Sequence, residues 1–189
     1  MVGDQTDLHT HPVILDHVQD LIGPNILCWA SAILSKKPGD PKRVPWHQDA
    51  AYLDQSGWET HQLTCWLPLV NAVKETGCLQ VLDGGHRSRN VAKHTCCVGG
   101  TWYVELPEEE FGTLGVSTDD LVTCEVPLGS VLLLNNLIPH QSLPNLSNII
   151  RWSLDLRWQN PDESNGFYGL KETLPLHRSN DPGYEADWS

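Results

Sequence analysis

The sequence predicts an all-β domain with a few helices, one of them packed against the outside. Two observations support this fold class: helical spacing of apolar residues occurs in one segment, and the rest of the chain alternates short apolar runs with turn residues. At 189 residues the chain can form a full core, and no Pro-, Gly- or Ser-rich linker divides it. We therefore expect a single domain over residues 1–189, with its core at about 24–160.

The predicted helix begins at Pro12 and ends at Ile22. Apolar residues recur along it at helical spacing, and Gly23-Pro24 stops the pattern. The predicted apolar stripe consists of Ile14, Val18, Leu21 and Ile22.

Six later runs predict strands, because they are rich in β-branched and aromatic residues and are bounded by turn residues. They lie at Ile26–Ser35, Gln62–Val70, Leu79–Leu82, Leu121–Val126, Ser130–Leu134 and Ile149–Trp158.

The last predicted strand has one polar face. Side chains alternate along a strand, so one face carries Arg151, Ser153, Asp155 and Arg157. In an antiparallel sheet such a face usually meets solvent. Because Arg151 lies eleven residues after His140, we predict instead that this face points toward a metal site.

Three separated residues form that candidate metal site: His47, Asp49 and His140. His47 and Asp49 are two residues apart, so at the end of a strand both project to the same side. His140 closes a strand and turn 91 residues after Asp49 and would supply a third ligand from another strand. Two imidazoles and one carboxylate leave half of an octahedral ion's positions open, as non-haem Fe(II) oxygenases require for a chelating co-substrate and dioxygen.

A series of motifs surrounds these ligands. In chain order they are Lys36-Lys37-Pro38-Gly39-Asp40, Trp46-His47-Gln48-Asp49, Glu75-Thr76-Gly77-Cys78-Leu79, Gly84-Gly85-His86, and His140-Gln141-Ser142 with Asn145 and Arg151. Linked motifs at matching intervals are more specific than any one of them. Over roughly residues 12–160 the chain resembles the phytanoyl-CoA dioxygenase family of Fe(II)/2-oxoglutarate oxygenases. The resemblance implies a double-stranded β-helix, a jelly-roll or cupin-like barrel whose mouth holds iron.

The resemblance also implies roles for individual residues. It assigns iron to His47, Asp49 and His140, and it assigns the far carboxylate of 2-oxoglutarate to Arg151, whose guanidinium fork suits a carboxylate. The further co-substrate contacts that we expect are Ser142, Trp66, Thr64 and Ser153. Trp66 equally fits a plain core aromatic, since a buried indole needs only one partner for its N–H. Related halogenases lack a carboxylate at the position of Asp49, so hydroxylation is expected rather than halogenation.

Basic residues on two loops suggest where a substrate binds. Lys36, Lys37, Lys42 and Arg43 precede the metal motif, and Arg87, Arg89 and Lys93 follow Gly84-Gly85-His86. The resemblance places both loops near the barrel mouth, where they could receive a small anionic metabolite or a CoA thioester. We assign substrate contact to Arg87, Arg89 and Lys93, with ordinary solvated charge as the alternative.

Charge and composition exclude other partners. A formal net charge of −12 and a pI near 5.0 argue against nucleic acid, which needs a basic stripe. No transmembrane span or secretory signal pattern is present, so we expect a cytoplasmic protein with no membrane partner and leave its oligomeric state open. The six cysteines lack C-x-x-C spacing and predict buried free thiols, with the adjacent Cys96-Cys97 pair left unassigned.

Three function classes fit these observations. The first is a dioxygenase that uses Fe(II), 2-oxoglutarate and O2 to hydroxylate a C–H bond, releasing succinate and CO2. A catalytically silent cupin-like module is the second, although a 2-oxoglutarate clamp at Arg151 and Ser142 would then be needless. A hydrolytic zinc enzyme is the third, because zinc accepts the same donors, but the H-x-D spacing and Arg151 favour iron. Family members are usually longer on the N-terminal side, so we expect a short form or a chain truncated there.

Overall fold

The computed structural model describes residues 8–97, 103–164 and 176–178. Its long helix, α1, is Pro12–Ile22. The strands are β1 (Asn25–Lys36), β2 (Val44–His47), β3 (Gln62–Pro68), β4 (Leu79–Leu82), β5 (Thr95–Cys96), β6 (Val104–Glu105), β7 (Leu121–Cys124), β8 (Leu132–Asn135), β9 (His140–Ser142), β10 (Arg151–Gln159) and β11 (Leu176–Arg178).

Two antiparallel sheets form the body of the molecule. One has the order β11-β1-β10-β3-β8 and the other β2-β9-β4-β7, while β5 and β6 form a separate two-stranded sheet. Side chains from both sheets line one cavity, so the sheets face each other across it. This arrangement confirms the all-β, jelly-roll prediction.

Helix α1 packs on the outer face of the five-stranded sheet, as predicted. Its buried residues are Leu15, Val18 and Ile22, which contact a core cluster that includes Leu156 and Trp158 of β10. Val18 and Ile22 of the predicted stripe are buried, whereas Leu21 is 57% exposed. Leu15, which was not predicted, is buried. No helix in the described residues is long and apolar enough to span a bilayer.

Strand β10 divides its two faces between this core and the cavity. Leu154, Leu156 and Trp158 pack on the α1 side. Arg151 and Ser153 are 2% and 0% exposed, so the polar face is turned into the protein, as its spacing from His140 predicted.

The six predicted strands did not include the two short strands that carry the histidines, although His47 was expected at the end of a strand. Strand β2 has four residues and β9 has three, which is too short to establish an alternating pattern. All six predicted strands are observed. Their bounds differ from the predicted ones by up to two residues, and those of β4 are as predicted.

The described cysteines are either free thiols or part of a disulfide. Cys28, Cys65 and Cys78 are buried free thiols, as predicted, and burial raises the pKa of Cys28 and of Cys65 to about 12. The unassigned pair Cys96 and Cys97 forms a disulfide at the exposed end of β5.

Candidate metal centre

The three predicted metal ligands converge where β2 and β9 meet. His47 ends β2 and His140 begins β9, and the two residues are paired across the sheet. Their ring centroids are 4.2 Å apart. Asp49 begins the short 3-10 helix after β2. The candidate ligand atoms of all three lie within 4.8 Å of one another, and all three residues are buried.

The hydrogen bonds of the rings aim their free nitrogens at Asp49. His47 Nδ1 lies 2.9 Å from the carbonyl oxygen of Pro45, and His140 Nδ1 lies 3.0 Å from that of Ile138. Donation from Nδ1 to a carbonyl leaves Nε2 with a lone pair. The two Nε2 atoms are 3.6 and 3.9 Å from Asp49 Oδ1, which is buried and lacks a hydrogen bond within the described residues. This donor set fits a divalent cation.

The local electrostatics give His140 and Asp49 the protonation states that a metal needs. Burial, helped by the proximity of His47, lowers the pKa of His140 to about 4, so its imidazole is neutral at physiological pH. Burial alone would raise the pKa of Asp49, but Arg157 and the two histidines outweigh it and hold that pKa well below its usual range. A neutral imidazole and an ionised carboxylate bind metal without first losing a proton.

Thr64 orients the ligand carboxylate. Its hydroxyl donates a 2.9 Å hydrogen bond to Asp49 Oδ2, which turns Oδ1 toward the imidazoles. The sequence prediction placed Thr64 at the co-substrate. The structure places it on the cavity wall in contact with Asp49.

Gln48 connects the metal-binding segment to two loops by hydrogen bonds. Its side-chain amide donates to the carbonyl oxygens of Leu137 and Asn90 and accepts from the backbone N–H of Ala92. Sequence reasoning assigned no role to Gln48, although it stands between two ligands in the motif.

Arg151 lies in the same cavity with Ser142 and Trp66. Its Nη1 donates to Ser153 Oγ at 2.6 Å, and its guanidinium carbon is 5.4 Å from the centre of the Trp66 ring. Arg151 Nε and Ser142 Oγ are buried without a hydrogen-bond partner in the part of the chain described. These unused polar atoms are suited to an anionic ligand.

The cavity has a volume of about 730 Å³ and contains the three candidate metal ligands in its wall. The structure thus brings together nearly all the predicted metal and co-substrate residues. Of these residues Ser153 does not belong to the described wall of the cavity, and it accepts a hydrogen bond from Arg151.

The basic residues before the metal motif divide into two kinds. Lys36 is buried, and its amine donates to the carbonyl oxygens of Lys42, Ser142 and Leu143. Burial lowers the pKa of Lys36 to about 8. Because its three donors are used, Lys36 fixes the end of β9. Lys37, Lys42 and Arg43 are exposed, and of these Lys42 and Arg43 line the cavity.

The basic residues after Gly84-Gly85-His86 lie elsewhere. Arg87, Arg89 and Lys93 do not contribute to the described wall of the cavity. Arg89 and Lys93 border a separate depression that Glu59 and Glu110 share.

Two charged residues that sequence reasoning left without a role also line the cavity. Arg157 Nη2 is 3.1 Å from Asp155 Oδ2 and 3.6 Å from Asp49 Oδ1. Burial raises the pKa of Asp155, and Arg157 opposes that effect. The strand alternation had placed both residues on the face of Arg151, so the signal was present in the sequence.

The fold and the site together define a class of protein. The model of the phytanoyl-CoA dioxygenase family matches residues 5–153, so the chain belongs to this family. A curated relative, 1-deoxypentalenic acid 11-beta-hydroxylase of Streptomyces arenae, is 28% identical in an alignment 181 residues long that covers 87% of this chain and 60% of that protein. The chain thus spans about 60% of the length of this relative.

The solved structures that are similar to this chain include the following two. The apo form of the non-heme monooxygenase ThoJ has a TM-score of 0.69 at 24% identity, over 83% of this chain and 55% of that one, and at this identity it supports the fold alone. EvdO2 from Micromonospora carbonacea var. aurantiaca, complexed with 2-oxoglutarate, has a TM-score of 0.60 at 25% identity, over 82% of this chain and 62% of that one.

Proposed function

We propose that the chain is an Fe(II)/2-oxoglutarate-dependent dioxygenase that hydroxylates a small molecule. The observation that carries the proposal is the presence of a two-histidine, one-carboxylate site and a buried, partly unpaired arginine in one cavity. When bound, the iron and 2-oxoglutarate would supply oxygen activation, with release of succinate and CO2 and oxidation of a substrate C–H bond.

In this proposal His47, Asp49 and His140 hold the iron. Thr64 fixes the unused oxygen of Asp49, so that a single carboxylate oxygen faces the metal position. Hydrogen bonds of this kind around a metal ligand commonly affect metal affinity by 10- to 100-fold.

Arg151 would bind the distal carboxylate of 2-oxoglutarate. Its fork can form two parallel charge-assisted hydrogen bonds, and Ser153 holds one side of that fork in place. Ser142 would add a hydroxyl donor, and Trp66 would form the wall beside the co-substrate. The similarity to EvdO2, which was solved in complex with 2-oxoglutarate, supports 2-oxoglutarate as the co-substrate.

Hydroxylation is the outcome that we propose, because Asp49 retains the carboxylate that the halogenases lack. The name of the Streptomyces arenae relative, a hydroxylase, supports the same outcome. Substrate contact by Arg87, Arg89 and Lys93 stays a prediction, and Lys42 and Arg43 are further candidates because they line the cavity.

Metal analysis tests the ligand assignment. We expect the purified protein to bind one Fe(II) per chain, and Asp49→Ala or His140→Ala to lose most of that binding and all 2-oxoglutarate turnover. His17→Ala, on the exposed side of α1, is the matched control and should bind iron normally. Undiminished stoichiometric binding in both ligand variants would contradict the assignment, whereas iron binding without turnover in the parent would favour a silent module.

A further inference from the structure

We propose that Asp155 and Arg157 form a substrate-recognition pair for a neutral group that both donates and accepts a hydrogen bond, such as a hydroxyl or a carboxamide. This inference rests on the proposed function, because it treats the cavity as a substrate site. It concerns the polarity of the substrate near the metal.

The pair lies where a substrate would have to approach the metal. Both residues line the cavity, and Arg157 Nη2 is 3.6 Å from the carboxylate oxygen of Asp49 that faces the histidines. On β10 they follow Arg151 and Ser153 on the same face, with Asp155 opposite Trp66 and Arg157 opposite Thr64. The arginine that we assign to the co-substrate is therefore a different one, six residues earlier.

Each member of the pair has one buried polar atom without a hydrogen-bond partner in the described residues. Asp155 uses Oδ2 to accept from Arg157, while its Oδ1 is buried without a hydrogen bond in the described residues. Arg157 Nε is likewise buried and unpaired. Asp155 is only 7% exposed, and leaving such a buried group without a hydrogen-bond partner is unfavourable. A ligand group that supplies one donor and one acceptor would satisfy both atoms.

The charges around the pair argue against an anionic partner at this position. Arg157 already faces two carboxylates, those of Asp49 and Asp155, so it has no uncompensated positive charge to offer. An anion placed against Asp155 Oδ1 would meet a like charge in a buried site, which is unfavourable. A neutral donor meets no such penalty.

The other residues of the cavity wall indicate what the remainder of the ligand is like. Beyond its polar groups the cavity is lined by apolar and aromatic side chains: Trp29, Ala30, Ala32, Leu34, Leu53 and Leu79. Sites of this kind bind by apolar contact, while a few placed polar groups fix orientation. An apolar ring system bearing one hydroxyl or amide fits this description.

The test compares three probes with the same body: 2-decalol, 2-decalone and decalin-2-carboxylate. Their dissociation constants are measured from tryptophan fluorescence, since Trp29 and Trp66 line the cavity. The measurements are made anaerobically with Fe(II) and 2-oxoglutarate and are repeated on the metal-free protein. A failure of the proposed metal and co-substrate binding is thereby distinguished from a failure of the probes to bind. We expect the alcohol to bind at least about tenfold more tightly than the ketone, as one added hydrogen bond allows.

The variant Asp155→Asn reverses the polarity of the free atom, because its amide oxygen can accept from Arg157 while its NH2 faces the ligand. We expect the alcohol to lose its advantage over the ketone in this variant. Glu105→Gln is the matched control, since it neutralises another carboxylate that lines the cavity, and it should keep the preference of the parent.

The comparison of probes in the parent protein needs no variant, so the proposal is testable even if Asp155→Asn does not fold. Equal affinity for alcohol and ketone, tighter binding of the carboxylate, absence of binding by all three probes, or an unchanged preference in folded Asp155→Asn would each overturn it.

Discussion

At the scale of single residues, the candidate centre depends on how Asp49 is held. Thr64 donates to one carboxylate oxygen, and Arg157 and the two imidazoles surround the other. The carboxylate therefore stays ionised although it is buried. One oxygen of fixed orientation beside two imidazoles is an arrangement suited to a cation.

Arg151 allows a test of the co-substrate assignment. Arg151→Lys keeps a positive charge but loses the planar fork, so we expect the dissociation constant for 2-oxoglutarate to rise at least about tenfold. Iron affinity should stay near that of the parent, because Arg151 is not a candidate metal ligand. Isothermal titration of each ligand measures both quantities. Superimposable 2-oxoglutarate titrations of the variant and the parent would show that Arg151 does not bind the co-substrate.

The sequence predicted the residues that carry the chemistry better than those that support them. The clustering of His47, Asp49 and His140 was predictable because spacing and motif order both pointed to it. The contacts of Gln48 were not, because they depend on which loops meet around the cavity.

At the scale of elements, β10 connects the core to the site. Its apolar face packs against α1, and its polar face supplies Arg151, Asp155 and Arg157 to the cavity. The alternation of this strand was predicted from the sequence. The strands β2 and β9 could not be predicted in the same way, since pairing across the sheet, rather than any pattern within them, defines them.

The turn before β4 gives an element-scale prediction. Gly77 has a φ of +83°, and a Cβ there would lie 2.6 Å from the carbonyl oxygen of Leu143, just beyond β9. Gly84 has the same φ of +83° and open space around it. Both alanine variants carry the left-handed backbone cost of about 1–2 kcal/mol.

Only Gly77→Ala must also move neighbouring backbone. We therefore expect it to lower the free energy of unfolding by about 2 kcal/mol more than Gly84→Ala does, in line with the cost of overpacking. Urea denaturation of the two variants measures the difference. Equal losses would mean that the approach of the two segments is not constrained as described.

At the scale of the whole molecule, burial of the histidine ligand predicts how stability depends on pH. His140 has a pKa of about 4 when folded and the ordinary value of 6.5 when unfolded. Between these values the unfolded chain binds the extra proton, so stability is full above about pH 6.5 and falls as the pH drops toward 4. The loss from this one group is at most about 3 kcal/mol.

Denaturation of metal-free protein in a chelator, at several pH values, measures this slope. Burial also lowers the pKa of His94, which adds a contribution of the same sign. We therefore expect His140→Asn to reduce the slope between pH 6.5 and 4 without abolishing it. Identical slopes in the variant and the parent would mean that His140 is not held neutral by the fold.

The central claim is that one cavity holds iron and 2-oxoglutarate together. Anaerobic titration of the Fe(II)-loaded protein with 2-oxoglutarate tests it most directly, because the chelate has a weak visible charge-transfer band. We predict a band that saturates at one 2-oxoglutarate per chain and that Asp49→Ala fails to develop. Iron bound at full stoichiometry with no such band at saturating 2-oxoglutarate would contradict the account.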